Sequence, residues 1–386
     1  MPLWAPRYLL IRSTIQPLAH QTPESDPMPQ EKLIRQILEE PETVLERMDL
    51  EYVDDKNFPI KRIRRGKGFS YTLGKGPLKN KKHLKRIDEL AIPPAWSRVK
   101  ITERPQGHLQ AVGWDAKNRK QYRYHPLWSK IRNQTKFHKM PSFAKQLPSI
   151  RKQVDRDLKL KGWPREKVLA LIIKLMEETQ IRIGNQQYAK INKSYGLSTL
   201  RKKHVDIHRG KMKFEFVGKK GQSHTVSIRN KKLIRLINRC MDLPGWELFQ
   251  FIDTQGNKQS VNSSMINQYL HELTGAGFTA KDFRTWGASV IFFNALLELG
   301  TAEEESEIHQ NLLTAFDAAA NALGNTRNVC RKYYVHPFLV SSYSDGSIQR
   351  QFEALEDHSP ESPDLSPSEK ALLKTLRGHP SEALGS

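Results

Sequence analysis

Met212-Lys213-Phe214-Glu215-Phe216-Val217, then Gly218-Lys219-Lys220-Gly221-Gln222, then Ser223-His224-Thr225-Val226-Ser227-Ile228, is the stretch on which the fold turns. Met212, Phe214 and Phe216 alternate, Thr225 through Ile228 follow a glycine-bounded linker, and the spacing predicts a β-hairpin with Lys219 at its tip. Val205 and Ile207 alternate just before it. On both sides the period lengthens. Upstream, Trp163-Pro164-Arg165-Glu166 opens a helix with Pro164 in the tolerated first turn. Val168, Leu171, Ile172 and Leu175 then recur at i, i+3, i+4 and i+7 until Gly184 can stop the helix, which places Arg182 at its end. Downstream, helices are expected over about 263–274, over 280–299 and over 302–323. Thr279 and Asp282 resemble a capping box at the second, with Arg284 in its first turn, and Gly324 ends the third. Asn325-Thr326-Arg327 leads on to Tyr333 and Tyr334. The expectation for about 135–355 is a mainly α-helical unit around a small antiparallel sheet, the α+β class.

From about 49 to 134 the chain is short-period and basic, as in Ile60-Lys61-Arg62-Ile63-Arg64-Arg65-Gly66, with turn signals at Gly74-Lys75-Gly76-Pro77, Pro93-Pro94 and Pro105-Gln106-Gly107. Arg98 to Thr102 and His108 to Trp114 alternate like strands, so a small β-rich domain is expected there. Residues 1–48 read as a partly disordered extension whose Tyr8-Leu9-Leu10-Ile11 is too short for a secretory signal. Its arginines weakly resemble a transit peptide, and Met28 offers an alternative start. Residues 356–386, with Ser359-Pro360 and Ser366-Pro367, are expected to form a flexible tail.

The 386 residues include 63 Lys+Arg against 41 Asp+Glu, a formal charge of +22 that points to a polyanionic partner. No apolar run reaches the ~18 to 20 residues of a membrane span. Two cysteines, Cys240 and Cys330, are too few for a disulfide framework and suit a reducing compartment. A phosphate loop for ATP, clustered carboxylates for paired magnesium ions and zinc-ligand spacing are all missing, so a nucleic-acid enzyme of this sequence is expected to need neither ATP nor metal. Phosphodiester cleavage on those terms requires fixed cations, a proton donor and a nucleophile.

The motifs Gln180-Ile181-Arg182-Ile183-Gly184-Asn185, Phe216-Val217-Gly218-Lys219, Lys281-Asp282-Phe283-Arg284-Thr285-Trp286-Gly287, and Leu323-Gly324-Asn325-Thr326 with Tyr334-Val335-His336-Pro337 resemble the catalytic signature of type IB DNA topoisomerases, in the compact poxvirus and bacterial branch. Arg119-Lys120-Gln121-Tyr122-Arg123-Tyr124 resembles that branch's DNA-contacting motif, and the likeness spans about residues 50–350. The resemblance implies a tyrosine recombinase/topoisomerase IB-like fold that clamps duplex DNA. It further implies a monomer without cofactor, working in the cytoplasm on the nucleoid. The activity it implies is relaxation of supercoils of both signs through a 3′-phosphotyrosyl link, swivelling and religation.

By the same resemblance Tyr334 is the nucleophile, Arg182 and Arg284 hold the non-bridging phosphate oxygens, and Lys219 protonates the departing 5′ oxygen. A phenol of ordinary pKa ~10 needs a cationic setting for attack, and always-charged guanidinium forks suit a phosphorane that gains negative charge. The poxvirus-type pattern has histidine where this chain has Asn325, whose amide donates a hydrogen bond but carries no charge; removing an oxyanion donor costs ~3 to 4 kcal/mol in other enzymes. Arg119, Lys120, Gln121, Tyr122, Tyr124 and Lys281 match DNA contacts, with Tyr122 and Tyr124 at i and i+2 on one face of a strand.

Taken singly, these are ordinary features. An arginine at a helix end is usually a solvated cap, a turn lysine is usually only that, and Asn325 after Gly324 could simply cap the next helix. Their joint order, with nine positions from Asn325 to Tyr334, is what carries the reading. Tyr333 would point about 100° away on a helix and is taken as packing. His224 and His336 are given structural or secondary roles, His336-Pro337 closing the tyrosine segment, and Glu303-Glu304-Glu305 is a solvated helix start. The alternative is a tyrosine site-specific recombinase, whose His-x-x-Arg motif would need histidine at Lys281 and whose N-terminal domain is usually helical. A non-enzymatic DNA binder has no use for a nucleophile.

Overall fold

The computed structural model describes Leu45 and residues 49–66, 68–116, 118–353 and 365–377, so most of the expected extension over 1–48 lies outside the described residues. Antiparallel pairing starts where glycine lets the chain reverse. Strands β1 (Ile60–Arg65) and β2 (Gly68–Leu73) pair from Ile60↔Leu73 to Arg65↔Gly68 across Gly66, which has a φ of 56°. β3 (Gly76–Pro77) follows, then α1 (Lys81–Glu89), then β4 (Ser97–Ile101), β5 (Leu109–Trp114) and β6 (Lys120–Tyr124). The sheet order is β3-β2-β1-β4-β5-β6, and Ile60, Val99, Ile101 and Ala111 bury against Ile87 of α1. Ile60 turns inward while Lys61, Arg64 and Arg65 stay exposed, so one strand serves both core and basic surface.

α2 (Pro126–Asp157), N-capped by His125, starts directly after β6 and runs through the boundary expected near 134. The β-rich and helical parts therefore share one continuous helix. α3 (Arg165–Thr179) buries Val168 through Ile173, Leu175 and Met176. It stops at Thr179, not at Gly184. Gln180 takes the left-handed conformation (φ 55°) and returns its N–H to Met176 O at 2.8 Å, while Thr179 Oγ1 donates to Leu175 O at 2.6 Å. A glutamine at such a cap escapes a reading that looks for glycine. Gly184 serves close approach instead, since a Cβ there would stand 2.7 Å from Thr199 Oγ1 and 3.1 Å from the backbone of Gly196.

After α4 (Gln186–Asn192), strands β7 (Val205–His208), β8 (Lys211–Val217) and β9 (Ser223–Ile228) form a three-stranded antiparallel sheet. Met212, Phe214 and Phe216 are buried, as their alternation predicts, and Lys219–Gly221 form the turn between β8 and β9. Then come α5 (Lys231–Met241), the hairpin β10 (Gln250–Ile252) and β11 (Lys258–Ser260), α6 (Ser263–Thr274), α7 (Ala280–Leu299), α8 (Glu305–Leu323), α9 (Arg327–Tyr333), α10 (Pro337–Ser344), α11 (Gln349–Glu353) and α12 (Pro367–Arg377). The described chain is thus α+β, with helices and small antiparallel sheets.

Over Pro367–Arg377, α12 stands where part of the flexible tail over 356–386 was expected; residues 356–364 and 378–386 lie outside the described residues. Leu372, Leu373 and Leu376 are buried, and so is Glu369, which accepts from Arg151 Nη1 at 2.9 Å and Nη2 at 2.7 Å and from Trp286 Nε1 at 2.9 Å. Its Ser-Pro flank resembles disorder by composition, but Ser366 caps the helix by accepting from Glu369 N–H at 3.2 Å. Among the described residues no helix is long and apolar enough to cross a membrane.

Candidate active site

Arg182 lies on the extended segment that follows α3. Ile181 and Ile183 turn into the core on either side, which leaves Arg182 half-buried and facing the other way. The segment is fixed by Leu197 N–H on Arg182 O at 2.8 Å and Ser198 N–H on Ile183 O at 2.7 Å. Arg284 is 4% exposed in the first turns of α7, with the Thr279–Asp282 capping box closed beside it. Its Nη2 donates at 3.0 Å to Leu323 O, one of the carbonyls that α8 leaves unpaired at its end. The helix end thus both needs a donor and holds the guanidinium in place.

Gly324 (φ 57°) and Asn325 close α8 by a Schellman turn, with Asn325 N–H on Ala320 O at 2.9 Å and Gly324 N–H on Asn321 O at 3.2 Å. That turn presents the Asn325 side chain to Arg182, whose Nη2 donates to Asn325 Oδ1 at 2.6 Å. Thr326, not Asn325, caps α9 through Val329 N–H at 3.4 Å. α9 delivers Tyr334 at its C-terminus, where Ser289 Oγ of α7 donates to Tyr334 O at 3.3 Å and accepts from His336 N–H at 3.0 Å. His336 then caps α10 by accepting from Phe338 N–H at 3.2 Å. The Arg284 guanidinium carbon stands 5.4 Å from the centre of the Tyr334 ring.

Arg182, Lys219, His224, Arg284 and Gly324 line one cavity of about 200 Å³. The Lys219 turn is tied to the segment after Arg182 by Ser194 Oγ on Gly218 O at 2.7 Å and Tyr195 N–H on Val217 O at 2.8 Å. Charge is tuned across this group. Burial raises the Tyr334 phenol pKa, but Arg284 and Arg182 outweigh it and hold the phenol below its ordinary value. Burial and then Arg182 lower Arg284 to about 10, so it stays cationic at neutral pH. Lys219 is lowered by its desolvation among protein atoms and by Arg182, with Tyr334 opposing. Fixed cations around a half-buried phenol, next to a lysine of lowered pKa, favour an anion at this place and a phenol that ionises more readily than in water.

The sequence pattern described as eukaryotic DNA topoisomerase I, catalytic core, matches residues 120–358, and that described as bacterial DNA topoisomerase IB, N-terminal domain, matches residues 68–115. The DNA topoisomerase 1B of Acanthamoeba polyphaga mimivirus is 38% identical over 271 residues, covering 68% of this chain and 81% of the viral one. The chain belongs to the type IB DNA topoisomerases. The DNA topoisomerase 1B of Vaccinia virus (strain Copenhagen) is 24% identical over 238 residues, 61% of this enzyme and 72% of the viral protein.

None of the residues expected to contact DNA lines this cavity: Lys120, Gln121, Tyr122 and Tyr124 lie on β6, Lys281 on α7, and Arg119, just before β6, is near enough to Lys219 to help lower its pKa. Tyr122 and Tyr124 stack at 6.0 Å with planes 18° apart, Lys120 lies 5.4 Å from the Tyr122 ring, and Arg132 of α2 lies 5.3 Å from the Tyr124 ring. Arg119 and Gln121 are oriented by Asp115, at 2.7 Å from Nε and 2.9 Å from Nε2, and Lys120 pairs with Asp55. Those acids are short-range partners in sequence or fold that the motif reading passed over. Lys281 is exposed in the first turn of α7. Tyr333, expected to pack, is instead 38% exposed with Lys136 at 5.1 Å and Lys332 at 5.6 Å from its ring. α9 ends there, so one residue of rotation puts Tyr334 inside and Tyr333 outside. Tyr188 joins the interface between the two parts, 5.9 Å from Arg119.

Proposed function

We propose that the enzyme relaxes positive and negative supercoils through a single-strand break carried on Tyr334. The convergence of Arg182 and Arg284 on its phenol, strong enough to reverse the effect of burial on its pKa, is the observation that carries this reading. The Tyr334 oxygen, its proton lost to solvent, attacks a backbone phosphorus. The new P–O bond forms as the bond to the 5′ oxygen breaks, and Lys219 gives that oxygen a proton. Arg182 and Arg284 neutralise the charge that builds on the non-bridging oxygens. Asn325 Nδ2, buried without a hydrogen-bond partner among the described residues, donates to one of them.

The 3′-phosphotyrosyl link keeps the bond energy, the free end swivels, and its hydroxyl returns the proton to Lys219 while displacing the phenolate. Neither ATP nor a metal ion enters this balance. The stacked Tyr122–Tyr124 face and its cations grip the duplex from one side while the helical part, with Lys281, grips it from the other, as a monomeric clamp. The net charge of +22 supports such a grip through counterion release. Incubating supercoiled plasmid with enzyme in chelator and without ATP, then mapping the nucleotide-bearing peptide after denaturation, tests it. Relaxation of both signs with the adduct on Tyr334 is expected. Dependence on magnesium, or an adduct on Tyr333, refutes it.

A further inference from the structure

His224 lines the same cavity and has no part in these steps. His224 lies on β9 directly across from Phe216 of β8, and the two rings stack at 5.2 Å with planes 14° apart. A Cβ on Gly218 would lie 2.5 Å from His224 Cδ2 and 2.6 Å from Nε2. A Cβ on Gly324 would lie 2.5 Å from Nδ1 on the other edge of the ring and would overlap Cε1. Gly218 immediately precedes Lys219, and Gly324 immediately precedes Asn325. Gly324 also has a positive φ, but Gly218 (φ −98°, ψ −158°) is extended backbone open to any residue, so the need for glycine there is the imidazole alone.

We propose that His224 is a positioning residue: its ring is the spacer on which the Lys219 turn and the Gly324–Asn325 turn both close, fixing the proton donor relative to the phosphate cradle. This rests on the reading of Lys219 as the acid. Burial, then Arg182 and Arg284, lower the pKa of His224, so the ring is neutral at neutral pH and acts by shape. The steric logic is that of close packing, in which a ring removed from between two turns lets both relax.

Single-turnover cleavage of a duplex with a mapped site, carrying either oxygen or sulfur at the 5′ bridging position, reads this out, because a thiolate leaves without an acid. His224→Ala is expected to cleave the oxygen substrate at least about tenfold more slowly and the sulfur substrate within about threefold of the unsubstituted enzyme, as Lys219→Ala does. Gly218→Ala should slow the oxygen substrate comparably, and adding it to His224→Ala should cost nothing further. Oxygen cleavage by His224→Ala within about twofold of normal, loss of both substrates, or additive effects of the two substitutions overturns the proposal. If sulfur fails to restore Lys219→Ala, the assignment of the acid falls first; restoration of Lys219→Ala but not of His224→Ala overturns the role of His224 alone.

Discussion

Arg182 Nη2 donates to Asn325 Oδ1 at 2.6 Å, which turns the Asn325 amide so that its Nδ2 is buried with no hydrogen-bond partner among the described residues. The guanidinium thus takes the amide oxygen and leaves Nδ2 on the buried side, within reach of the Cys330 thiol, and a buried donor so weakly paired is the one proposed above to meet a phosphate oxygen.

Asn325→Ala removes both halves of this arrangement. Single-turnover cleavage should fall by about a hundredfold to a thousandfold with non-covalent DNA affinity within a few-fold of normal, as for loss of one oxyanion donor. Asn325→His should stay active. Complete inactivity of the histidine variant in the same assay would contradict the donor role.

Cleavage should follow a bell-shaped pH profile. The rising limb reports the Tyr334 phenol, held below 10 by its arginines, and the falling limb reports Lys219, held below 10.5 by desolvation and Arg182. Rate measurements on the 5′-sulfur substrate should lose the falling limb and keep the rising one. Persistence of both limbs there would assign the alkaline loss to another group.

Glu369 binds α12 to α2 through Arg151, which also holds Glu177 of α3 at 2.6 Å, and to α7 through Trp286 Nε1. Glu369→Ala leaves a buried arginine partly uncompensated and should cost about 3 to 5 kcal/mol in urea unfolding at pH 7. Burial raises the Glu369 pKa, yet Arg151 and Trp286 bring it below the ordinary carboxyl value. The unfolded chain therefore binds more protons than the native one in that window, and the contribution is present above about pH 4.5 and lost as pH falls through the folded value. The difference between variant and parent should shrink toward pH 3.

Lys136 of α2 sits 4.5 Å from the Phe137 ring, and burial, then Lys281, lower its pKa from 10.5 to about 7. Below pH 7 it is charged in both states and the native one bears the penalty; between 7 and 10.5 the unfolded chain holds the extra proton, so stability gained from this residue rises with pH. Urea midpoints should rise between pH 7 and 9, and Lys136→Gln should flatten that rise. An unchanged slope would mean the ammonium is solvated.

Pro and Gly punctuation and the period change at the 212–228 hairpin were enough to read the α+β class, the hairpin itself, α6, α7 and α8, while the candidate site residues were named only by the resemblance of their motifs. These are local signals: alternation buries Met212, Phe214 and Phe216 whatever else the chain does, and Thr279 with Asp282 caps α7 from three residues away. The end of α3 was misread because Gln180 adopts the left-handed conformation that glycine usually signals. α12 was missed because the acid that holds it finds its arginine 218 positions back along the chain.

Sequence alone determined which side chains this topoisomerase carries and how they are spaced, since residue type and spacing are properties of the chain. Only the tertiary structure decided their charges and orientation. Tyr334 is acidified by arginines from two other elements, Asn325 is turned by Arg182, and His224 fills the space between two glycines 106 positions apart, because pKa and packing depend on distances that no local pattern encodes.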